Sequence, residues 1–257
     1  MSLARARLGA LPEPQAAHAA CPHDPALVTL CWRTVREPPP LAADTVHLWR
    51  IALDESAGDA GAAWLTSEEH AHAAQLHQTE LRRRCLSGHA ARRAILGGYL
   101  ATAPAELRFA RGAAGKPMLV GVAQPLEFNF SASGALALLA VSLAEPIGVD
   151  CEWLRARVDA VAIARRMFGV ARAAELAALP ETACWRAFYR DWTALEARVK
   201  RDGRGLARHR VPDPPDIAVA HAAPAPGAIC ALARRRLPPP SAWQTFRFSA
   251  GMACPPR

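Results

Sequence analysis

A carboxylate placed inside an apolar helical stripe constrains this chain more than any other feature. Residues 185–200, WRAFYRDWTALEARVK, repeat large apolar side chains at the spacing of a helix: Trp185, Phe188, Tyr189, Trp192, Leu195 and Val199. At about 100° per residue, Glu196 lies on the same face, near the middle of the stripe. A buried carboxylate is unfavourable without a partner, so we expect a cation beside Glu196. Lys200, one helical turn further on, is the nearest candidate in the sequence.

A second acidic motif occurs in the segment EPIGVDCEW, residues 145–153, which we interpret as a short strand after Pro146. Side chains alternate along a strand, so Asp150 and Glu152 share one face. Two such carboxylates repel each other unless a cation lies between them, and Mg²⁺ prefers hard oxygen ligands of this kind. Each motif alone also has an ordinary structural explanation. Asp150 and Glu152 could lie at a solvated strand end. Glu196 and Lys200 could form a helical ion pair that contributes about 0.2–0.5 kcal/mol. Together the two motifs would supply three carboxylates to one metal ion.

Four segments occur in the order and spacing of one enzyme family. They are Gly115-Lys116-Pro117, FNFSAS (128–133), PIGVDCE (146–152) and FYRDWTALEARVKRDGRGL (188–206). On these segments the chain resembles the 4'-phosphopantetheinyl transferases, and most of all the surfactin-synthetase-activating type. The resemblance implies two similar α+β lobes in one chain, related by a pseudo-two-fold axis, with coenzyme A in the cleft between them. It also implies Mg²⁺-dependent transfer of phosphopantetheine to a serine of an apo carrier protein, with release of adenosine 3',5'-bisphosphate.

The resemblance assigns roles to the acidic residues and to one lysine. Asp150, Glu152 and Glu196 match the metal-binding carboxylates of the family, and Lys200 matches the lysine that meets the pyrophosphate of coenzyme A. Transfer from a pyrophosphate to an alcohol also requires a positioned leaving group and a base for the incoming hydroxyl. We therefore expect Glu196 to act as the base, directly or through a water, and Lys200 to stabilise the departing bisphosphate.

Other residues match the coenzyme A contacts of the family. Gly115, Lys116 and Pro117 match a loop at the adenine and 3'-phosphate end of coenzyme A. Ser131 matches a serine at the phosphates, and Arg93 matches an arginine of the first lobe that reaches the 3'-phosphate.

Two positions depart from the family pattern and leave alternatives open. Ala132 stands where a histidine is usual, and Leu195 stands where a lysine is usual directly before the glutamate. One alternative is an inactive relative that binds coenzyme A or a carrier protein without catalysis. Another is a metal-dependent phosphodiester enzyme that acts on nucleic acid. The presence of all three carboxylates and Lys200 favours the transferase over the inactive relative. Salt-sensitive DNA binding that survives the loss of Asp150 would support the nucleic-acid enzyme.

The charge of the chain indicates an acidic partner. The formal net charge is +8 and the sequence pI is about 9.6, which suits an acidic carrier protein. The arginines are scattered, and no basic stripe is interleaved with aromatic residues, so we expect no nucleic-acid partner. No apolar run reaches the roughly 18 residues that a membrane span needs, so we expect no membrane contact.

The cysteines and the lobes predict a cytoplasmic monomer. Seven cysteines, an odd number without a CxxC pair, indicate reduced thiols in the cytoplasm. Two lobes in one chain can form the cleft without a second subunit, so we expect a monomer.

The composition along the chain predicts its organisation. Residues 1–44 are rich in Ala and Pro and predict a loosely ordered extension. We place an N-terminal lobe at 45–145 and a C-terminal lobe, which carries the metal site, at 146–257. Thr66 and Glu69 form a capping-box pattern at the start of one helix, and Ser87 is the expected cap of the next.

Overall fold

The computed structural model describes residues 27–55, 61–155 and 159–252. Within these ranges, eleven strands form three sheets and five α-helices pack on them. The strands are β1 (Val28–Thr29), β2 (Arg33–Thr34), β3 (His47–Ala52), β4 (Arg108–Arg111), β5 (Pro117–Val120), β6 (Leu126–Ser133), β7 (Leu136–Leu143), β8 (Gly148–Trp153), β9 (Ile217–Ala223), β10 (Ala228–Arg235) and β11 (Gln244–Arg247). The helices are α1 (Ser67–Ala74), α2 (Thr79–Leu100), α3 (Ala160–Met167), α4 (Val170–Ala177) and α5 (Glu181–Asp202).

The largest sheet has five strands in the order β2-β11-β3-β7-β6. Its interior strand β7, LALLAVSL, lies between β3 and β6 and is apolar on both faces because both faces are covered. One face packs against α2, through contacts that include Trp49, Leu139 and Ile95. The other face packs against the second sheet.

The second sheet has four strands in the order β1-β9-β10-β8. Leu48 and Leu138 of the first sheet share a buried cluster with Val149, Cys151 and Leu232 of the second. Helix α5 covers the outer face of the second sheet, where Ala197 packs against β10. The layers therefore run α2, five-stranded sheet, four-stranded sheet, α5.

The mixed α+β class predicted from the sequence is confirmed. The capping box is also confirmed, because Thr66 Oγ1 accepts from the N–H of Glu69 while Glu69 Oε2 accepts from the N–H of Thr66. The predicted cap at Ser87 is wrong. Helix α2 begins at Thr79 and runs through Ser87, whose hydroxyl donates to the carbonyl of Glu55.

The strand pairing crosses the predicted lobe boundaries. Strand β11, near the C-terminus, pairs in parallel with β3 of the five-stranded sheet. Strands β1 and β2, within the predicted extension, each join one of the two large sheets, and Leu27 and Leu30 are buried. Residues 1–26 and the tail from 253 lie outside the described residues. The lobe boundaries and the pseudo-two-fold relation of the lobes stay predictions.

None of the described helices is long and apolar enough to cross a membrane.

Candidate active site

The predicted stripe on α5 is buried except for Leu195, which is half-buried, and Glu196 is buried with it. Trp185, Phe188, Tyr189 and Trp192 pack against α3 and α4. Glu196, one turn beyond the aromatic residues, is 4% exposed. The expected cation is present, because Lys200 Nζ lies 3.8 Å from Glu196 Oε2.

Lys200 contacts a second carboxylate more closely. Its ammonium lies 2.5 Å from Asp150 Oδ1, and Asp150 is 2% exposed. The fold brings together Lys200 of α5 and Asp150 of β8, which are 50 residues apart in the sequence. Burial alone would lower the pKa of Lys200, but the charges of Asp150 and Glu196 outweigh it and raise that pKa above its ordinary value. Lys200 is therefore a cation held between two carboxylates.

A glycine permits the close approach of α5 to β8. A Cβ atom on Gly148 would lie 1.9 Å from the carbonyl oxygen of Ala197 and 2.6 Å from the backbone nitrogen of Arg201. Any side chain there would push the helix away from the strand. The glycine two residues before Asp150 thus sets the distance at which Asp150 and Lys200 meet.

Ser131 of β6 completes this cluster. Its hydroxyl donates to Asp150 Oδ1 at 2.8 Å, and Lys200 Nζ donates to Ser131 Oγ at 3.2 Å. Two residues along β6, Ser133 Oγ donates to Glu152 Oε2 at 2.7 Å. The structure therefore places Ser131, Asp150, Glu196 and Lys200 in one cluster, which we call the carboxylate–lysine cluster, with Glu152 two residues further along β8.

The donor chemistry at this cluster suits Mg²⁺. Asp150 Oδ2 is buried and accepts no hydrogen bond within the described residues, so one hard oxygen ligand is available. Across the same residues, no three His, Cys, Asp or Glu side chains lie close enough together to enclose a metal ion. Mg²⁺ is commonly held by one or two carboxylates together with substrate phosphates. The residues present therefore fit an ion that the substrate helps to bind.

The predicted Gly115-Lys116-Pro117 loop forms the turn between β4 and β5. Gly115 has a φ of 84°, which favours glycine. Lys116 Nζ donates to the carbonyl of Arg201 at 2.5 Å, where a cation complements the C-terminal end of α5. Burial lowers the pKa of Lys116. The loop is thus attached to the helix that carries Glu196 and Lys200.

A basic cleft of about 400 Å³ opens beside this loop. Its charged lining residues are Lys116, Arg201, Asp202, Arg204 and Arg208. Four of these side chains are cationic and one is acidic, so the cleft suits an anionic ligand. It lies next to the end of α5 that bears Lys200.

Arg93 lies elsewhere, inside the packing of α2. It is 2% exposed, and its guanidinium donates to Glu69 Oε2 at 2.8 Å. It also donates to the carbonyl oxygens of Pro104 and Leu107, at 2.9 and 3.0 Å. These contacts give Arg93 a structural role, and its contact with the 3'-phosphate stays a prediction.

The two departures from the family pattern lie away from the cluster. Ala132 packs against the core on the α2 side of β6, opposite to the face that carries Ser131. Leu195 lines a separate cleft with Phe168 and Val219, on the β9 side of α5. The Ala132 side chain thus faces away from Ser131, and the Leu195 side chain lines a cleft whose lining includes none of the proposed catalytic residues.

Sequence reasoning missed Asn129 and Ser133, which share the β8-facing side of β6 with Ser131. Asn129 Oδ1 accepts from the N–H of Val149 at 2.9 Å. The alternation of polar and apolar residues in FNFSAS could have placed Asn129 and Ser133 on the same face as Ser131, since residues two apart on a strand share a face.

Comparisons with known proteins show the family of this chain. The profile of the 4'-phosphopantetheinyl transferase superfamily matches residues 146–252. The 4'-phosphopantetheinyl transferase HetI of Nostoc sp. is 41% identical over 172 residues, which cover 65% of this chain and 73% of HetI. The 4'-phosphopantetheinyl transferase Sfp of Bacillus subtilis is 25% identical over 145 residues, 56% of this chain and 63% of Sfp.

The chain belongs to the 4'-phosphopantetheinyl transferase superfamily. It is thus an enzyme of the class that moves the phosphopantetheine group of coenzyme A to carrier proteins.

Proposed function

We propose that this protein transfers 4'-phosphopantetheine from coenzyme A to a serine of an apo acyl or peptidyl carrier protein in a Mg²⁺-dependent reaction. The observation that carries the proposal is the buried carboxylate–lysine cluster, in which Lys200 Nζ lies 2.5 Å from Asp150 and 3.8 Å from Glu196. The similarity to HetI supports the same reaction class. The surfactin-synthetase-activating subtype is part of the proposal and rests on the shared motifs and on the more distant similarity to Sfp.

In the proposed reaction the serine oxygen of the carrier attacks the phosphorus that bears pantetheine. The bond from this phosphorus to the bridging oxygen breaks, and adenosine 3',5'-bisphosphate leaves. Glu196 accepts the serine proton, directly or through a water, and Lys200 neutralises charge on the departing phosphate. Asp150, Glu152 and Glu196 are the proposed ligands of Mg²⁺. Because they do not enclose an ion by themselves, phosphate oxygens of coenzyme A would complete the site, and the ion would neutralise their charge.

The basic cleft is the proposed place for the nucleotide end of coenzyme A. Lys116 lines this cleft from the hairpin, and Gly115 and Pro117, its neighbours in the chain, are proposed to contact the same end of coenzyme A. Ser131, which binds Lys200, would lie at the phosphates. The excess of cationic lining residues supports this assignment, because the 3'-phosphate and the pyrophosphate are anionic. The contact of Arg93 with the 3'-phosphate is proposed from the family resemblance alone, because its buried guanidinium binds Glu69, Pro104 and Leu107 and does not line this cleft.

The proposed partner is an acidic carrier protein, and the proposed enzyme acts as a cytoplasmic monomer. The net charge of +8 supports an acidic partner. Cys31, Cys85, Cys151, Cys184 and Cys230 are free thiols, as expected in a reducing compartment.

Release of adenosine 3',5'-bisphosphate tests the proposed reaction. The purified protein is incubated with coenzyme A and an apo carrier, with Mg²⁺ or with EDTA, and the nucleotide is quantified by chromatography. We expect release that requires the carrier and Mg²⁺, and that falls at least 100-fold in Glu196→Gln. Coenzyme A binding without release would instead support the inactive relative. Unchanged turnover in Glu196→Gln, with none in Asp150→Ala, would remove Glu196 from the role of base.

A further inference from the structure

Strands β6 and β8 belong to different sheets but run side by side in the same direction. Side chains of β6, rather than its backbone, bind the backbone of β8. Three oxygens on alternate residues accept from three alternate N–H groups: Asn129 from Val149 at 2.9 Å, Ser131 from Cys151 at 3.3 Å, and Ser133 from Trp153 at 3.3 Å. These bonds fix the position of β8, and so of its acidic residues, along β6.

Each serine of this ladder also binds one carboxylate. Ser131 donates to Asp150 at 2.8 Å, and Ser133 donates to Glu152 at 2.7 Å. A hydroxyl has one proton and two lone pairs. Once its oxygen accepts from the backbone of β8, its proton can be directed at the neighbouring carboxylate. The same unit therefore occurs twice, once at each acidic residue of the DCE segment.

Ser133 is itself held firmly. It is 2% exposed, and its carbonyl oxygen accepts from Trp153 Nε1 at 2.9 Å. Glu152, in contrast, is only partly buried and has a long side chain with several rotatable bonds. The Ser133 hydroxyl thus donates to the Glu152 carboxylate from a fixed position on β6.

We propose that Ser133 is a positioning residue that holds the Glu152 carboxylate in the place from which it joins Asp150 as a ligand of the divalent cation. This inference rests on the proposed function. Removing a residue that hydrogen-bonds to a metal ligand and orients it typically lowers metal affinity or activity by about 10- to 100-fold. Ser133 acts through Glu152 and contacts neither the substrate nor the reacting atoms.

Metal binding without turnover tests the role of Ser133. Mn²⁺ is titrated into the full-length protein with coenzyme A but no carrier, and free Mn²⁺ is followed by electron paramagnetic resonance. We expect Ser133→Ala to weaken Mn²⁺ binding about 10-fold, and Ser133→Thr, which keeps the hydroxyl, to restore it to within about twofold. In the transfer assay, Ser133→Ala should raise the half-saturating Mg²⁺ concentration by a similar factor while the rate at saturating Mg²⁺ changes less.

Two controls separate positioning from a general loss of packing. Ser142, a buried serine of β7, donates only to the carbonyl of Glu145, so Ser142→Ala should leave Mn²⁺ affinity unchanged. In a Glu152→Ala background, Ser133→Ala should cause no further loss, because its carboxylate partner is gone and Asn129 and Ser131 still fix the part of β8 that carries Asp150.

Unchanged Mn²⁺ affinity in Ser133→Ala, or a further loss in the Glu152→Ala background, would overturn the role of Ser133 while wild-type transfer still upholds the proposed function. A wild-type protein that neither binds Mn²⁺ nor transfers phosphopantetheine would overturn both.

Discussion

Lys200 and Asp150 form a buried ion pair between α5 and β8, with the ammonium 2.5 Å from Asp150 Oδ1. The pair joins the helix and the strand that carry the proposed metal ligands. Glu196, at 3.8 Å, shares the same ammonium. The ion pair therefore contributes to both the stability of the fold and the proposed chemistry, and mutation can separate the two.

Removing one charge of the pair should be costly. Asp150→Asn leaves the ammonium of Lys200 buried with a weaker set of partners, and breaking a buried pair in this way costs about 3–5 kcal/mol. Because the Lys200 side chain is 20% exposed, we expect a loss near 3 kcal/mol in the free energy of unfolding, measured in urea. Lys200→Met also takes the ammonium away from Glu196, so the triple variant Asp150→Asn/Glu196→Gln/Lys200→Met, which removes all three charges, should recover most of that stability and none of the transfer activity. Equal instability of the single and triple variants would show that these charges do not act as a unit.

Gly148 should not tolerate a methyl group. A Cβ there meets the backbone of α5 at 1.9 Å, which only a shift of the helix can relieve. We expect Gly148→Ala to lower the free energy of unfolding by about 1–3 kcal/mol and to reduce transfer, because overpacking displaces Lys200 from Asp150. Gly251, around which no heavy atom lies within 4 Å of an added Cβ, provides the matched control for unfolding in urea. A Gly148→Ala protein as stable and active as Gly251→Ala would contradict the close packing.

Lys116 should affect coenzyme A binding more than catalysis. Lys116→Met removes a cation from the basic cleft, and a hydrogen bond to a charged group is worth about 1.5–3 kcal/mol. We expect the KM for coenzyme A to rise at least about tenfold while kcat changes less. Arg108→Met, on the same hairpin but outside the cleft lining, is the control for charge alone. If both variants raise the KM equally, the effect is long-range electrostatics and not a contact with Lys116.

His47 should make the fold less stable in mild acid. Burial, and then the charge of Arg33, lower the pKa of His47 from 6.5 to about 4. Between those values the unfolded chain binds the proton and the folded chain does not, so stability falls as the pH decreases from about 6.5 to 4. The loss attributable to His47 is at most about 3 kcal/mol. His47→Gln should flatten the dependence of unfolding free energy on pH over this interval, and an unchanged slope would assign the acid sensitivity to other groups.

Local patterns in the sequence predicted the parts of the site that lie within one element. The period of α5 predicts a buried Glu196 with a cation nearby, and the alternation of β8 places Asp150 and Glu152 on one face. The nearest partner of Lys200, however, is Asp150 and not Glu196, four residues away on its own helix. That preference depends on how closely α5 packs on Gly148. No local sequence pattern predicts this distance.

Long-range pairing explains the remaining differences. The place of β11 beside β3 depends on contacts across most of the chain, which no local pattern in the sequence predicts. The partners of Arg93 could not be predicted for the same reason. Glu69 and the carbonyl of Leu107 accept from its guanidinium only once α1 and α2 have packed together. Ser133 was detectable as a polar residue on an alternating strand, but its partner on β8 was not.

Intact mass spectrometry of apo carrier proteins tests the central claim most directly. The purified protein is incubated with coenzyme A, Mg²⁺ and a set of apo acyl and peptidyl carriers, beside an Asp150→Ala control. We predict that at least one carrier gains the mass of one phosphopantetheine group, and that the gain requires both Mg²⁺ and Asp150. If a characterised transferase modifies every carrier and this protein modifies none, the proposed function is contradicted.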